Sequence, residues 1–197
     1  MANNLGSLAK VLLSSDALKG ISKQTDISAE DVSSILTTAL PALLNGANKQ
    51  ATQKSTAEGF LEALQTHGAN DTSNLTSFLK NVDVEDGAKI IKHLLGSNTT
   101  SLTKEVAKSS KSGIKAADVA KVLAVAAPLI MSLIGKQTGK KKEKDATTAL
   151  ASITTLLGNK EVQTLATSLL GGNKSNKKDD GVDLDDVINI ASKLIKK

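Results

Sequence analysis

Over residues 28–48 the apolar positions Val32, Ile35, Leu36, Ala39, Leu40, Leu43, Leu44 and Ala47 recur at intervals of three and four. That spacing lines one face of an α-helix and predicts a buried stripe. Ser28 followed by Asp31 is an N-terminal capping signature. Pro41 lacks an N–H and its ring crowds the preceding turn, so the pattern predicts a kinked helix. The same reading predicts helices over 5–13, 16–23, 56–66, 74–81, 85–95, 101–110, 146–157 and 161–170. No run alternates with a period of two over strand length, which argues against a sheet. Gly46, Gly68, Gly96, Gly135, Gly158 and Gly171 fall where helices are expected to stop, the place of C-cap glycines. The expected fold class is all-α.

Shifted by 87 residues, the first proline segment recurs. Ile27-Ser-Ala-Glu-Asp-Val32 becomes Ile114-Lys-Ala-Ala-Asp-Val119, and Pro41 lands on Pro128. The apolar face returns at Val119, Val122, Leu123, Ala126, Ala127, Ile130, Met131 and Ile134, and Lys49-Gln50 lands on Lys136-Gln137. Flanking echoes are fainter: Lys10-Val-Leu-Leu-Ser-Ser15 resembles Lys92-His-Leu-Leu-Gly-Ser97, and Leu61, Leu64 and Thr66 match Leu150, Ile153 and Thr155. The chain therefore reads as two related helical halves, 8–82 and 90–172, each with a proline-kinked core helix. The two core helices differ. Ser33, Ser34, Thr37, Thr38 and Asn45 give the first a face that can meet water, whereas Ala120, Ala124, Val125, Leu129 and Leu133 make the second apolar nearly all round. A helix apolar on every side belongs at the centre of a bundle or in an interface, which singles out 119–135 as the central helix.

Composition adds exclusions. The chain has 197 residues, 40% hydrophobic and 23% charged, which suits a globular domain rather than a disordered one. There is no cysteine, so disulfides, thiol chemistry and Cys-bound metals are excluded. Net charge is +5, but every basic residue is Lys, and Phe60 and Phe78 are the whole aromatic set. Single-strand binders stack bases on aromatic or Arg planes, so any nucleic-acid binding is expected to be weak and nonspecific at most. The first ten residues lack a signal-peptide pattern, and the most apolar stretch, 122–135, is too short for a membrane span of about 20 residues. The expected location is the cytoplasm, where the sequons at Asn70, Asn74, Asn98 and Asn173 have no role.

Candidate chemistry is sparse. Placing Gly181 at the glycine of a calcium loop puts Asn176, Lys178 and Asp180 at ligand positions and Val187 where the closing Glu belongs, a poor metal site. His67 sits beside Gly68 at a helix end, and His93 borders the Ile90, Ile91, Leu94, Leu95 stripe. Neither has the partner at helical spacing that a metal or catalytic role requires. No nucleophile elbow, phosphate loop or dinucleotide glycine pattern occurs. No residue is assigned as catalytic, cofactor-binding or metal-ligating, and no cofactor is expected. Lys136, Lys140, Lys141, Lys142 and Lys144 form one basic run after the central helix. It reads as a solvated loop compensating a helix dipole. Its possible anion contacts are Lys140, Lys141, Lys142 and Lys144.

Asp86-Gly-Ala-Lys-Ile-Ile-Lys-His-Leu-Leu-Gly96, a following helix, and then Ile114 through Ala127-Pro128-Leu-Ile-Met-Ser-Leu-Ile-Gly135 together resemble the YidB-like family. Ala39-Leu-Pro-Ala-Leu-Leu44 is similar to that family's first proline helix. The resemblance covers about residues 8–137 and implies a small, all-helical, cytoplasmic bacterial protein of unknown function, with no catalytic residues to transfer.

Beyond the expected domain at 1–172, residues 173–182 have linker composition. Residues 183–197 carry a stripe of Leu184, Val187, Ile188, Ala191, Leu194 and Ile195, with acids at its start and lysines at its end. A helix of about 14 residues is marginal alone in water, so this stripe is the expected docking interface, on its own bundle or on a second copy. The functional expectation is a non-enzymatic helical interaction or self-assembly module with a protein partner. The alternatives are an anion-surface or nucleic-acid-associated protein acting through the lysine loop, and an enzyme with an unrecognised site.

Overall fold

Four helix starts among the described residues coincide with side chains that occupy free N–H groups of the first turn. Ser14 Oγ accepts from the N–H of Ala17, Ser28 Oγ from that of Asp31, Asn74 Oδ1 from that of Ser77, and Asp83 Oδ1 from those of Glu85 and Asp86. The computed structural model describes residues 4–110 and 113–139. They form α1 (Asn4–Leu12), α2 (Ser15–Thr25), α3 (Ala29–Thr52), α4 (Ala57–Gly68), α5 (Leu75–Lys80), α6 (Val84–Leu95), a 3₁₀ turn (Gly96–Asn98), α7 (Thr99–Ser109) and α8 (Ala116–Gly139). Among the described residues there is no strand, and the fold is a compact all-α bundle. The helices expected over 146–157, 161–170 and 183–197, and the linker at 173–182, lie outside the described residues.

α8 is the axis of the bundle. From Val122 to Ser132 every residue is buried, and α1, α2, α3, α4, α6 and α7 all pack against it. α3 receives α2, α4, α6 and α7. The packing is partly reciprocal: α6 and α7 lie on α3, as α1 and α2 lie on α8, while α2 lies on α3 as α7 lies on α8. One feature breaks the symmetry, because α6 also runs extensively along α8. The stripe read from the sequence is buried in α3 at Val32, Ile35, Leu36, Ala39, Leu43, Leu44 and Ala47, with Leu40 half-buried.

Both proline helices continue through their prolines, and Pro41 and Pro128 stand equally far from the first residues Ala29 and Ala116. Pro128 has no N–H to give the Ala124 carbonyl, its ordinary partner four residues back. α6 comes against that carbonyl at Gly87, where a Cβ would collide with the Ala124 oxygen and stand 3.2 Å from Pro128 Cδ. The crossing is closed by a Cα–H facing a carbonyl that lacks its helical donor.

Two expected helix stops are corrected. Gly46 lies inside α3 and Gly135 inside α8, both buried. Gly46 faces the backbone carbonyl of Leu94, and Gly135 faces that of Leu64 with Gly68 Cα alongside. They are small because another backbone crosses there. Gly68 does end α4, and Gly96, at φ +57°, ends α6. Asp26 ends α2 in the left-handed conformation at φ 59° without a glycine to signal it.

Two further expectations change. Thr38 is buried rather than wet, its hydroxyl donating to the Ser34 carbonyl at 2.9 Å. The apolar stretch at 122–135 is extended by the helix on both sides, so Ala116–Gln137, 22 residues holding an 18-residue window of mean hydropathy 1.9, is long and apolar enough to cross a membrane. Most of its apolar window, 72%, is buried inside the bundle, where a central helix has to be apolar all round.

Candidate functional site

The C-terminal turn of α4 and the chain after it meet the C-terminal half of α8, and polar groups gather there. α4 reaches this point because Phe60, Leu61 and Leu64 bury one face and because Gly68 and Gly135 let two backbones touch, a Cβ on Gly68 falling 3.0 Å from the Gly135 carbonyl carbon. Asn70 Nδ2 donates to Ser132 Oγ at 3.3 Å, and Ser132 Oγ donates to the Pro128 carbonyl at 2.8 Å. Lys136 Nζ donates to Thr72 Oγ1 at 2.6 Å. On the α6 side, His67 Nε2 stands 3.6 Å from Asp86 Oδ2, with the imidazole mostly buried.

Asp71 is fully exposed. Hydrogen bonds from the side chain and then the backbone of Ser73 hold its carboxyl below the usual carboxylate range, with a smaller contribution from the Lys136 charge. A carboxylate depressed in the folded state contributes stability above its unfolded pKa, and that contribution is lost as pH falls through the folded value. Asp71→Asn is therefore expected to reduce the acid loss of thermal stability below about pH 4, the unfolded carboxylate range. Melting curves of the two proteins at pH 5 and pH 3 check this; identical acid shifts would contradict it.

The junction is chemically committed. Ser132 is fully buried, its proton bound to a backbone carbonyl and its oxygen occupied by Asn70, so its hydroxyl acts as a structural tie. Among the described residues no three His, Cys, Asp or Glu side chains stand close enough together to hold a metal ion. His67 pairs with Asp86 and not with the nearer-in-sequence Asp71. His93 is exposed, and its carbonyl accepts from Gln50 Nε2 at 2.7 Å. Lys136, expected in a solvated loop, is a half-buried residue of α8.

Lys140, Lys141, Lys142 and Lys144 lie outside the described residues, as do Leu184, Val187, Ile188, Ala191, Leu194 and Ile195 and the calcium-loop alignment around Gly181. The sequence reading missed Asn70, Thr72 and Ser132. One signal was present: Ser132 is the only hydroxyl in the apolar run 122–135, and a buried hydroxyl needs a partner.

Residues 8–137, which run from α1 through nearly all of α8, match the DUF937 family, described as a bacterial protein of unknown function. The chain belongs to the DUF937 family. The YidB-like resemblance is consistent with that membership. No curated protein and no solved structure matches the chain. The matched DUF937 span takes in both proline helices and the polar junction between α4 and α8.

Proposed function

We propose that this DUF937 protein is a non-enzymatic helical interaction or self-assembly module of the bacterial cytoplasm, with a protein partner or a second copy as its target. It is built from two related halves, each with a core helix bent at its proline. The common register of Pro41 and Pro128 in helices of 24 residues each supports the halves, as does the partly reciprocal packing around α3 and α8.

One observation carries the functional reading. Among the described residues Val84 is the only large apolar side chain left exposed, so the bundle uses its apolar surface internally. A separate apolar stripe, Leu184, Val187, Ile188, Ala191, Leu194 and Ile195, is set beyond the polar stretch 173–182. In this reading the domain at 1–172 is the rigid body and the stripe at 183–197 is the docking element. A coil of about ten residues has an r.m.s. reach of roughly 18 Å, enough for docking in cis or in trans. Four buried apolar side chains at about 1.5–3 kcal/mol each would offset a large part of the cost of ordering a short helix.

Truncation after Gly172 tests the reading, with sedimentation and far-ultraviolet melting as readouts, since the chain has neither Trp nor Tyr. Loss of association supports assembly through the stripe, and a lower melting temperature alone supports docking on the same bundle. If association and melting temperature are both unchanged, the stripe has no such role.

A further inference from the structure

After α8 the sequence repeats the apolar pattern of α4. At an offset of 89, the buried residues Ala57, Phe60, Leu61 and Leu64 become Ala146, Ala149, Leu150 and Ile153, all apolar. Exposed Glu58, Gly59, Gln65 and Thr66 become Thr147, Thr148, Thr154 and Thr155, and Asn70 becomes Asn159. The departures are Ala151 for exposed Glu62, Ser152 for half-buried Ala63, Leu156 for His67 and Leu157 for half-buried Gly68, so the close backbone approach that Gly68 makes to Gly135 is not repeated.

The packing supplies the place. α1 and α2 on α8 correspond to α6 and α7 on α3, and α4 lies on α8 as well. By the same correspondence, the sequence counterpart of α4 is 146–159 and that of α8 is α3. At the 87-residue offset, Ser132 and Gly135, which meet Asn70 and Gly68, correspond to Asn45 and Asn48. Both asparagines are half-buried, and the Asn48 Oδ1 atom is shielded with no hydrogen-bond donor among the described residues. A shielded acceptor without a donor is costly and calls for a partner.

We propose that residues 146–159 dock on the α3 face carrying Asn45 and Asn48, in the way that α4 and Asn70 dock on α8. The side-chain amide of Asn159 supplies a donor to that face, and Leu150 and Ile153 supply its apolar cover. The connection allows it: α3 leads to α4 through 53–56, and six residues, 140–145, separate α8 from Ala146 and span at most about 20 Å. The proposal rests on the related-halves reading, but that reading depends on α1–α3 against α6–α8, which the test below does not touch.

Because the 197-residue chain has no cysteine, Asn45→Cys with Asn159→Cys creates a single thiol pair. A short bismaleimide should join the two within one chain, read as a linked peptide pair at monomer mass. Thr72→Cys with Lys136→Cys, a contact of the described bundle, is the positive control. Ser34→Cys with Asn159→Cys is the negative control, since Ser34 is exposed and about 16 Å along α3 from Asn45. A docked pair should react at least about tenfold faster than the Ser34 pair, because a fixed contact raises effective concentration above that of a tether. As a second measurement, L150D/I153D should speed hydrogen exchange in the 41–52 part of α3 while leaving α4 unchanged. A yield no higher than the Ser34 pair, a link formed only between chains in mixed isotopic samples, or unchanged exchange in α3 would overturn the proposal.

Discussion

Gly87→Ala is expected to destabilise the bundle by about 2–3 kcal/mol, although alanine is the better helix former. The added Cβ would occupy the space of the Ala124 carbonyl oxygen, with Pro128 Cδ 3.2 Å away. A backbone carbonyl in the middle of a buried helix cannot rotate aside as a flexible side chain can, so α6 as a whole would have to withdraw. α6 carries Ile90, Ile91, Leu94 and Leu95 into the core, and those contacts loosen together when it shifts. Gly59→Ala in α4 is the matched control, because nothing lies within 4 Å of its Cβ position and the site is exposed. There the helix propensity should prevail and stability should rise by about 0.5–1 kcal/mol. Urea unfolding followed by far-ultraviolet circular dichroism separates the two, and equal midpoints for both variants would show that the α6–α8 crossing is not tight.

Leu129→Ala is expected to cost about 3–5 kcal/mol, a large part of the 5–15 kcal/mol that holds a domain folded. Leu129 is fully buried in α8, amid the six helices that surround it, so the cavity has few ways to collapse. The α3 counterpart at the 87-residue offset is Ala42, also fully buried. That size difference separates a helix packed on nearly every side from one that keeps a face toward water. Leu129→Met, which conserves volume, should cost less than about 1.5 kcal/mol and isolates packing from hydrophobicity. A Leu129→Ala loss below the Leu129→Met loss would contradict the central placement of α8.

The sequence by itself determined the all-α class, the approximate extent of each described helix, and which helix is central. Those properties are local: apolar residues at three- and four-residue spacing define a buried face, and a helix without a polar face cannot lie on the surface. The cap at Ser28 was legible because Asp31 follows at capping distance. What only the tertiary structure decided was anything set by two backbones meeting. Gly46 and Gly135 look like helix stops in a one-dimensional reading because glycine is a poor helix former, and only the crossings at Leu94 and Leu64 show why they sit mid-helix. The partner of His67 was likewise unreadable, since Asp86 lies on another helix and nothing in the spacing favours it over Asp71. The junction of Asn70, Thr72, Ser132 and Lys136 joins residues some sixty positions apart. A buried hydroxyl needs a partner by ordinary chemistry, but which group supplies it depends on how α4 comes to rest on α8.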